Sequence, residues 1–188
     1  MFEFFKAWSF NRRASSPGSK PEEVLRSLAL REGESIIDVG VGGGFYALKF
    51  AELVGSKGIV YCVDVNPSFL KLLAGRALKK GFQNIKTVPA SQMDSLIPPN
   101  SIDCIFLRNV YHHLDNRVGY FRNMSKFLKP GGRVAIIEYK TERKKVFKPD
   151  GHYTSKDKIV DEMMSAGYRL SNSFDFLKEQ SFTVFSKG

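Results

Sequence analysis

The chain has 188 residues, of which 43% are hydrophobic and 26% charged, and these values are typical of one soluble globular domain. No stretch approaches the ~18 consecutive apolar residues of a membrane-spanning helix, and the first residues lack the basic region of a secretion signal, so we expect a cytoplasmic protein. The net charge of +10 favours anionic partners such as nucleic acid, an acidic lipid surface or a carboxylated small molecule, but it does not choose among them.

The first 20 residues differ in composition from the rest of the chain. Phe2, Phe5 and Trp8 would share one face of a short amphipathic helix, and the sequence R-R-A-S-S-P-G-S-K after it is typical of a linker. We therefore divide the chain into an aromatic N-terminal segment, residues 1–20, and a main domain, residues 21–188. The segment either packs against the main domain or contacts acidic lipid headgroups through its basic residues. These basic residues are Lys6, Arg12 and Arg13.

The stretch S-I-I-D-V-G-V-G-G-G-F, residues 35–45, predicts a buried strand that runs into a glycine loop and then into a helix. Such a unit exposes backbone N–H groups and the positive end of a helix dipole beside a backbone that a ligand can approach closely. In the dinucleotide fingerprint G-x-G-x-x-G the third glycine would fall on Phe45, so this chain departs from that fingerprint. The pattern D-x-G-x-G-x-G, which begins at Asp38, instead suits a cofactor that carries an amino acid with its ammonium group.

Strand and helix patterns alternate along the rest of the chain, and the two cysteines, Cys62 and Cys104, fall in predicted buried strands. Because free cysteine packs as a small hydrophobe, we expect both in the core, with no disulfide and no metal cluster. The predicted strands are residues 36–39, 58–64, 84–88, 102–107, 133–139, 168–174 and 182–185. The predicted helices are residues 21–30, 46–54, 66–80, 114–128 and 154–166.

Five stretches, in order, resemble the motifs of the class I S-adenosylmethionine-dependent methyltransferases. They are D-V-G-V-G-G-G at 38–44, which resembles motif I, G-I-V-Y-C-V-D-V-N at 58–66, S-I-D-C-I-F-L-R-N-V-Y-H-H at 101–113, L-K-P-G-G-R-V-A-I-I-E at 128–138 and T-S-K-D-K-I-V-D-E-M-M-S-A-G-Y at 154–168. The third and fourth stretches are most similar to the small-molecule branch that includes the ubiquinone and menaquinone methyltransferases. The resemblance implies an α/β fold: a Rossmann-like, doubly wound, seven-stranded sheet whose last strand is antiparallel.

The resemblance also implies that S-adenosyl-L-methionine binds at these motifs and leaves as S-adenosyl-L-homocysteine. Asp64 would accept hydrogen bonds from both ribose hydroxyls, unless it only caps the next helix. Ser91 stands near the place where the family commonly has an acid beside the adenine amino group. N-terminal helices cover the cofactor in this family, so residues 1–20 are a candidate lid. The implied cofactor-binding residues are Asp38, Gly40, Gly42, Gly44, Asp64, Ser91 and Asn109.

The segment R-N-V-Y-H-H, residues 108–113, is expected at the carboxyl edge of the sheet, where it would face the transferred methyl group. His112 is the candidate general base, because imidazole titrates near neutral pH. A structural role, in which either histidine begins or caps the following helix, stays open. Two adjacent histidines without a third nearby ligand do not close a coordination shell, so we expect no metal. The basic run K-T-E-R-K-K-V-F-K, residues 140–148, is either a solvated loop or an attractant for an anionic substrate.

The predicted function is methyl transfer from S-adenosylmethionine to a small-molecule or lipid-like acceptor by in-line displacement. The sequence N-V-Y-H, residues 109–112, stands where methyltransferases of nucleobase amino groups would have an N-P-P-Y-like motif, so nucleic acid is a less favoured partner. Two alternatives stay open. One is an RNA-modifying methyltransferase, which the positive charge favours, and the other is a relative that binds the cofactor without turnover as a partner subunit.

Overall fold

A computed structural model describes residues 2–140 and 153–188 of the protein. The chain folds around a seven-stranded sheet. Its strands lie in the order β3-β2-β1-β4-β5-β7-β6, and β7 is antiparallel to both of its neighbours while the remaining pairs are parallel. This arrangement confirms the predicted fold class, including the antiparallel last strand. The strands are β1 Ser35–Val39, β2 Ile59–Asp64, β3 Ile85–Pro89, β4 Ile102–Arg108, β5 Leu128–Tyr139, β6 Tyr168–Phe174 and β7 Gln180–Lys187.

Helices cover both faces of this sheet, as expected for strands joined by crossover connections. Short 3-10 turns follow α1, β3 and β4, at Pro17–Ser19, Ala90–Gln92 and Tyr111–His113 respectively. Within the described residues, no helix is both long and apolar enough to cross a bilayer. The helices are α1 Phe2–Ala14, α2 Pro21–Leu28, α3 Phe45–Val54, α4 Pro67–Lys79, α5 Met93–Leu96, α6 Arg117–Met124 and α7 Lys156–Ser165.

Alternate residues of the central strands supply two apolar layers, one on each face of the sheet. One layer contains Cys62 and Cys104 and packs against α2 and α3, whereas the other packs against α6 and α7. Both cysteines are fully buried, as predicted, and burial raises the pKa of the Cys104 thiol to about 12. The thiols are therefore core side chains and not reactive nucleophiles.

The predicted helix over residues 114–128 is wrong in its extent. Leu114 is extended, Asn116 has a left-handed backbone with φ of 42°, and α6 spans only Arg117–Met124. The Asn116 side chain caps α6 by accepting a hydrogen bond from the backbone N–H of Gly119 at 3.3 Å, which asparagine does well at this position. The two histidines consequently lie in a separate turn before the helix and do not begin it.

Strand β5 also begins earlier than predicted, at Leu128. The P-G-G sequence, residues 130–132, forms an irregularity inside the strand, because the pairing with β4 shifts between Ile102 and Cys104. The other described elements agree with the predicted ones to within a few residues at their ends. The basic run at 140–148 lies almost wholly outside the described residues, with only Lys140 inside them.

Helix α1 packs one face on the main domain and leaves the other face exposed. On the inner face, Ala7 is fully buried and the ring of Phe10 meets that of Phe69 edge to face at 5.8 Å. On the outer face, Phe5 and Trp8 are 60% and 51% exposed. The predicted amphipathic helix is therefore present, but its aromatic face is directed outward.

Gly43 packs directly against α1, and we predict that Gly43→Ala releases the helix. A Cβ atom there would collide with the Asn11 side chain and with the Ala7 carbonyl oxygen. Overpacking of this kind costs ~1–3 kcal/mol, so trypsin cleavage after Arg12 and Arg13 should become about tenfold faster.

The matched control is Gly75→Ala on α4, where an added Cβ atom would meet no atom within 4 Å. This control should leave cleavage in α1 unchanged. Equal cleavage of the wild type and the Gly43→Ala variant would show that α1 is not held by this contact.

Candidate active site

The glycine loop joins β1 to α3 at the carboxyl edge of the sheet. Gly40 and Gly44 have φ of 73° and 81°, in the left-handed region that glycine adopts without strain. A Cβ atom at Gly40 would collide with the Val110 side chain, and one at Gly44 would lie 2.6 Å from Cδ1 of Leu73. The loop therefore packs tightly on its neighbours and presents bare backbone, as the sequence predicted.

Asp64 ends β2 beside this loop. Its carboxylate is 8% exposed and accepts hydrogen bonds from the backbone N–H of Gly42 at 3.1 Å and from that of Asn66 at 2.9 Å. The cap of α4 is Asn66, whose side chain accepts from the backbone N–H of Ser68 at 2.9 Å. Asp64 is therefore tied to the glycine loop, and the capping role belongs to Asn66.

Asp38 is the second buried acid of the loop region and is only 4% exposed. Burial, and then the neighbouring Asp64 carboxylate, raise the pKa of Asp38 to about 7. A carboxyl in this state is costly to ionise in the free protein, and a cation bound beside it would remove much of that cost.

Tyr46 and Arg108 complete the polar surroundings of the loop. From the sequence, Tyr46 has no predicted role, and Arg108 enters only within the segment 108–113, without a role beside the glycine loop. Burial raises the pKa of Tyr46 to about 12, so its hydroxyl is neutral, and this hydroxyl has no hydrogen-bond partner within residues 2–140 and 153–188. The Arg108 guanidinium lies 5.7 Å from the centre of the Tyr46 ring and donates to the Ser19 hydroxyl at 2.9 Å. Two signals in the sequence would have identified these residues. Tyr46 is a polar residue in the first turn after the glycine loop, and Arg108 is a charged residue at the end of the central strand.

Helix α1 contacts both loops that border Asp64. The Glu3 carboxylate accepts a hydrogen bond from the Asn66 side chain at 2.7 Å, and the Asn11 side chain accepts from the backbone N–H of Phe45 at 3.1 Å. The first contact lies on the loop after β2 and the second at the start of α3. One helix thus bridges the two segments that surround the predicted cofactor position.

Two other predicted cofactor-binding residues lie on neighbouring strand ends. Ser91 is exposed in the turn after β3. Asn109 has a left-handed backbone with φ of 56°, and its side-chain oxygen accepts from the Gln180 side chain at 2.6 Å. The structure therefore brings Asp64, Asp38 and the glycines together, whereas Asn109 also ties β4 to β7.

The turn after β4 brings His112 against a buried carboxylate of β5. The Nδ1 atom of His112 lies 2.9 Å from Oε2 of Glu138, and these side chains are 6% and 0% exposed. The Nε2 atoms of His112 and His113 are 3.0 Å apart. The sequence predicts no role for Glu138, the last residue of the stretch at 128–138, because its contact with His112 depends on how the turn after β4 folds back.

A cavity of about 340 Å³ opens beside this turn. Arg117 lines it and forms a two-point ion pair with Glu162 at 2.8 and 3.1 Å, and Glu162 also accepts from the Tyr111 hydroxyl at 2.8 Å. The cavity is concave and polar, and cationic side chains form part of its wall. The lining residues are His112, Arg117, Tyr153, Thr154, Ser155 and Lys158. In the described part of the chain, no group of three His, Cys, Asp or Glu residues is arranged to hold a metal.

Known proteins share both the sequence and the fold. A family model described as a methyltransferase domain matches residues 30–172. The ubiquinone/menaquinone biosynthesis C-methyltransferase UbiE of Pseudomonas fluorescens (strain SBW25) is 39% identical over 115 residues, which is 58% of this chain and 43% of that protein. UbiE of Francisella philomiragia is 30% identical over 119 residues, covering 63% of this chain and 48% of that protein. The chain thus spans less than half the length of these relatives.

Among solved structures, a SAM-dependent methyltransferase from Aquifex aeolicus superposes with a TM-score of 0.82 and 27% identity, over 94% of this chain and 96% of that one. The family match and the shared fold together identify a class I S-adenosylmethionine-dependent methyltransferase, as predicted. The chain belongs to the methyltransferase domain family, whose model matches most of its length. Neither the RNA-modifying nor the non-catalytic alternative finds support among these relatives.

The raised pKa of Asp38 predicts a pH-dependent cost to folding. A carboxyl whose pKa increases from 3.8 to about 7 on folding stabilises the fold fully below the lower value and loses that stabilisation as pH rises to the upper one. Asp38→Asn should therefore increase the free energy of unfolding, relative to wild type, by roughly 3–4 kcal/mol more at pH 7.5 than at pH 4.

Urea denaturation at both pH values measures this difference. Asp175→Asn, which removes an exposed carboxyl of the loop between β6 and β7, should show no comparable change. A pH-independent effect of Asp38→Asn would contradict the assigned burial cost.

Proposed function

We propose that the chain transfers a methyl group from S-adenosyl-L-methionine to a small-molecule or lipid-like acceptor. The observation that supports this proposal is the contact at 3.1 Å between the Asp64 carboxylate and the Gly42 backbone, which joins the end of β2 to the glycine loop at the predicted cofactor position. The cofactor supplies a methyl group already bonded to a positively charged sulfur, and S-adenosyl-L-homocysteine is the product. The chain's own residues would bind the cofactor and the acceptor, orient them toward each other and exclude water. The acceleration would then come from proximity.

The residues beside the glycine loop fit the amino acid portion of this cofactor. Asp38 would ionise beside the ammonium group, which offsets the burial that raises its pKa. Arg108 and the Tyr46 hydroxyl would hold the carboxylate. A buried hydroxyl without a partner costs ~1–3 kcal/mol, and a ligand oxygen at this position would remove that cost.

The remaining cofactor contacts follow from the neighbouring strand ends. Asp64 would accept hydrogen bonds from the ribose hydroxyls, Ser91 would lie near the adenine, and Asn109 would contact the cofactor from the end of β4. Helix α1 would act as a lid, since Glu3 and Asn11 attach it to the two loops that surround the site.

The acceptor would occupy the cavity beside His112, which is the candidate catalytic residue. The cavity volume of about 340 Å³ suits a small ring system, and Arg117 and Lys158 in the cavity wall favour an acceptor with anionic character. The relatives from Pseudomonas fluorescens and Francisella philomiragia carry the name ubiquinone/menaquinone biosynthesis C-methyltransferase. We therefore favour a phenol or a hydroquinone as the acceptor class, with methylation at a ring carbon.

A lipid-like acceptor would require access to a membrane, and the outer face of α1 is suited to that contact. Phe4, Phe5 and Trp8 are each at least half exposed, and the Arg12 guanidinium lies 5.5 Å from the centre of the Trp8 ring. Aromatic side chains beside cationic ones on one helix are typical of interfacial binding to anionic lipid. We propose that α1 rests on the membrane surface through this face.

Asp64→Ala should weaken the binding of S-adenosylhomocysteine by roughly 10- to 100-fold, because charge-assisted hydrogen bonds contribute ~1.5–3 kcal/mol. Isothermal titration calorimetry measures the affinity, and thermal unfolding confirms that the variant is folded. Asp175→Ala, which removes an exposed carboxyl, is the matched control. Unchanged affinity in a folded Asp64→Ala variant would disprove the ribose assignment.

The triple variant Phe4→Ser, Phe5→Ser, Trp8→Ser should bind at least about tenfold more weakly to vesicles of phosphatidylcholine and phosphatidylglycerol, since each buried aromatic contributes ~1.5–3 kcal/mol. Vesicle co-sedimentation measures the bound fraction. Leu78→Ser on α4 is the control, because Leu78 is 80% exposed but lies outside α1. If the triple variant sedimented like wild type, the membrane proposal would be wrong and the methyl-transfer proposal would be unaffected.

A further inference from the structure

We infer that Glu138 and His112 form a proton-transfer pair that removes a proton from a hydroxyl group of the acceptor. This inference rests on the proposed methyl transfer and adds the step that makes the acceptor nucleophilic. Glu138 is the positioning residue of this pair, His112 is the base, and His113 occupies the lone pair of the base until the acceptor binds.

The first part of the argument concerns the buried carboxylate. Glu138 is fully buried, and three N–H groups are directed at its two oxygens. Its Oε2 accepts from Nδ1 of His112 at 2.9 Å and from the backbone N–H of His112 at 3.3 Å, and its Oε1 accepts from the backbone N–H of Tyr139 at 2.9 Å. A carboxylate can accept all three hydrogen bonds at once, and they fix its orientation.

The second part concerns the tautomer of His112. Because Glu138 accepts from Nδ1, the proton of the neutral imidazole lies on Nδ1, and Nε2 carries the lone pair. That Nε2 atom is 3.0 Å from Nε2 of His113, so in the free protein it accepts the N–H of His113. Almost all of the His112 side chain is buried, whereas His113 is exposed.

A structural explanation of the same contacts is weaker. Burying an acid costs several kcal/mol unless a strong partner offsets it, and a stabilising partner is usually a permanent cation. Arg117, the nearby permanent cation, directs its two-point ion pair to Glu162 instead. Glu138 is directed at a titratable ring on the cavity wall, which is the arrangement that a carboxylate and histidine adopt to move protons.

The proton-transfer step balances without any further reactant. The acceptor hydroxyl takes the place of the His113 N–H beside Nε2 of His112. Its O–H bond then breaks, its proton joins Nε2, and its electron pair stays on the acceptor oxygen. In a phenol or hydroquinone, that electron pair increases the electron density at the ring carbons. The Glu138 carboxylate stabilises the positive imidazolium until the proton passes to solvent.

Among the described residues, charged and titratable groups from several elements contact the His112 ring or line the cavity together with it. These are Glu138 from β5, His113 from the same turn, Arg117 from α6, Lys158 from α7 and Tyr153 before α7. The two cations next to the cavity would attract the acceptor anion after its proton has left. They therefore act in the same direction as the base.

The central experiment replaces Glu138 by Gln, which keeps the shape and removes the charge. With labelled S-adenosylmethionine and a reduced, short-chain prenylated 1,4-naphthoquinone as the probe acceptor, Glu138→Gln should reduce kcat by roughly 100-fold at pH 7, the lower end of general-base effects. The affinity for S-adenosylhomocysteine should not change. The deficit should narrow as pH rises toward the acceptor's own ionisation, because the acceptor then needs no base.

Four further variants sharpen the result. His112→Gln should lose as much kcat as Glu138→Gln, and the double variant should lose no more than either, because residues that act as a unit are not additive. His113→Gln should lose less kcat, because His113 leaves Nε2 of His112 before the proton moves. Glu34→Gln is the control, since this carboxylate pairs with Arg133 at 3.1 Å before the first strand. A pH profile of Glu138→Gln that runs parallel to that of wild type would overturn the inference.

A second measurement does not depend on turnover. Nitrogen-15 spectra of the imidazole rings should show the Nδ1–H tautomer of His112 in the wild type. In Glu138→Gln the tautomer should shift toward Nε2–H, because the glutamine amide can donate to Nδ1. If the wild type methylates none of the probe acceptor, the proposed acceptor class is wrong, and the spectra still test the pair. An unchanged tautomer in Glu138→Gln would overturn the role of Glu138.

Discussion

The whole site depends on one geometric constraint: the carboxyl ends of the parallel strands lie along a single edge of the sheet. Asp38, Asp64, Arg108 and Glu138 each stand at or next to the end of a different strand, so residues distant in sequence meet there. The strand order changes direction between β1 and β4, and the crevice at that point is where ligands of open α/β sheets bind. The seven-stranded topology therefore assembles the site before any side chain makes a specific contact.

This constraint has an energetic cost that a ligand can offset. Asp38 and Asp64 are both buried next to the glycine loop, and their repulsion adds to the desolvation of Asp38. The Tyr46 hydroxyl lies near them without a described partner. A free protein that carries these features is less stable than one with apolar residues in their place. Functional sites commonly sacrifice stability in this way, and here the unfavourable groups are the ones that an amino acid zwitterion would satisfy.

Local sequence predicted the sheet, the glycine loop and Asp64, because strand periodicity, glycine spacing and strand-ending acids are short-range signals. One of its failures came where the outcome depends on long-range contacts. The partner of His112 became visible only through the register of β4 against β5, since Glu138 is 26 positions away. The helix predicted over residues 114–128 failed for a local reason, because apolar periodicity there outweighed the tendency of Asn116 to adopt a left-handed backbone and cap a helix.

The end of β4 connects the cofactor side of the site to the acceptor side. Arg108 lies over Tyr46 beside the glycine loop, and Val110 fills the space that a Cβ atom at Gly40 would need. Two residues later, His112 meets Glu138 on β5. Because these contacts belong to one short segment, the proposed cofactor site and the proposed base are supported by the same strand end. A segment packed on both sides can hold the cofactor and the acceptor at a fixed separation, which is what in-line transfer of a methyl group requires.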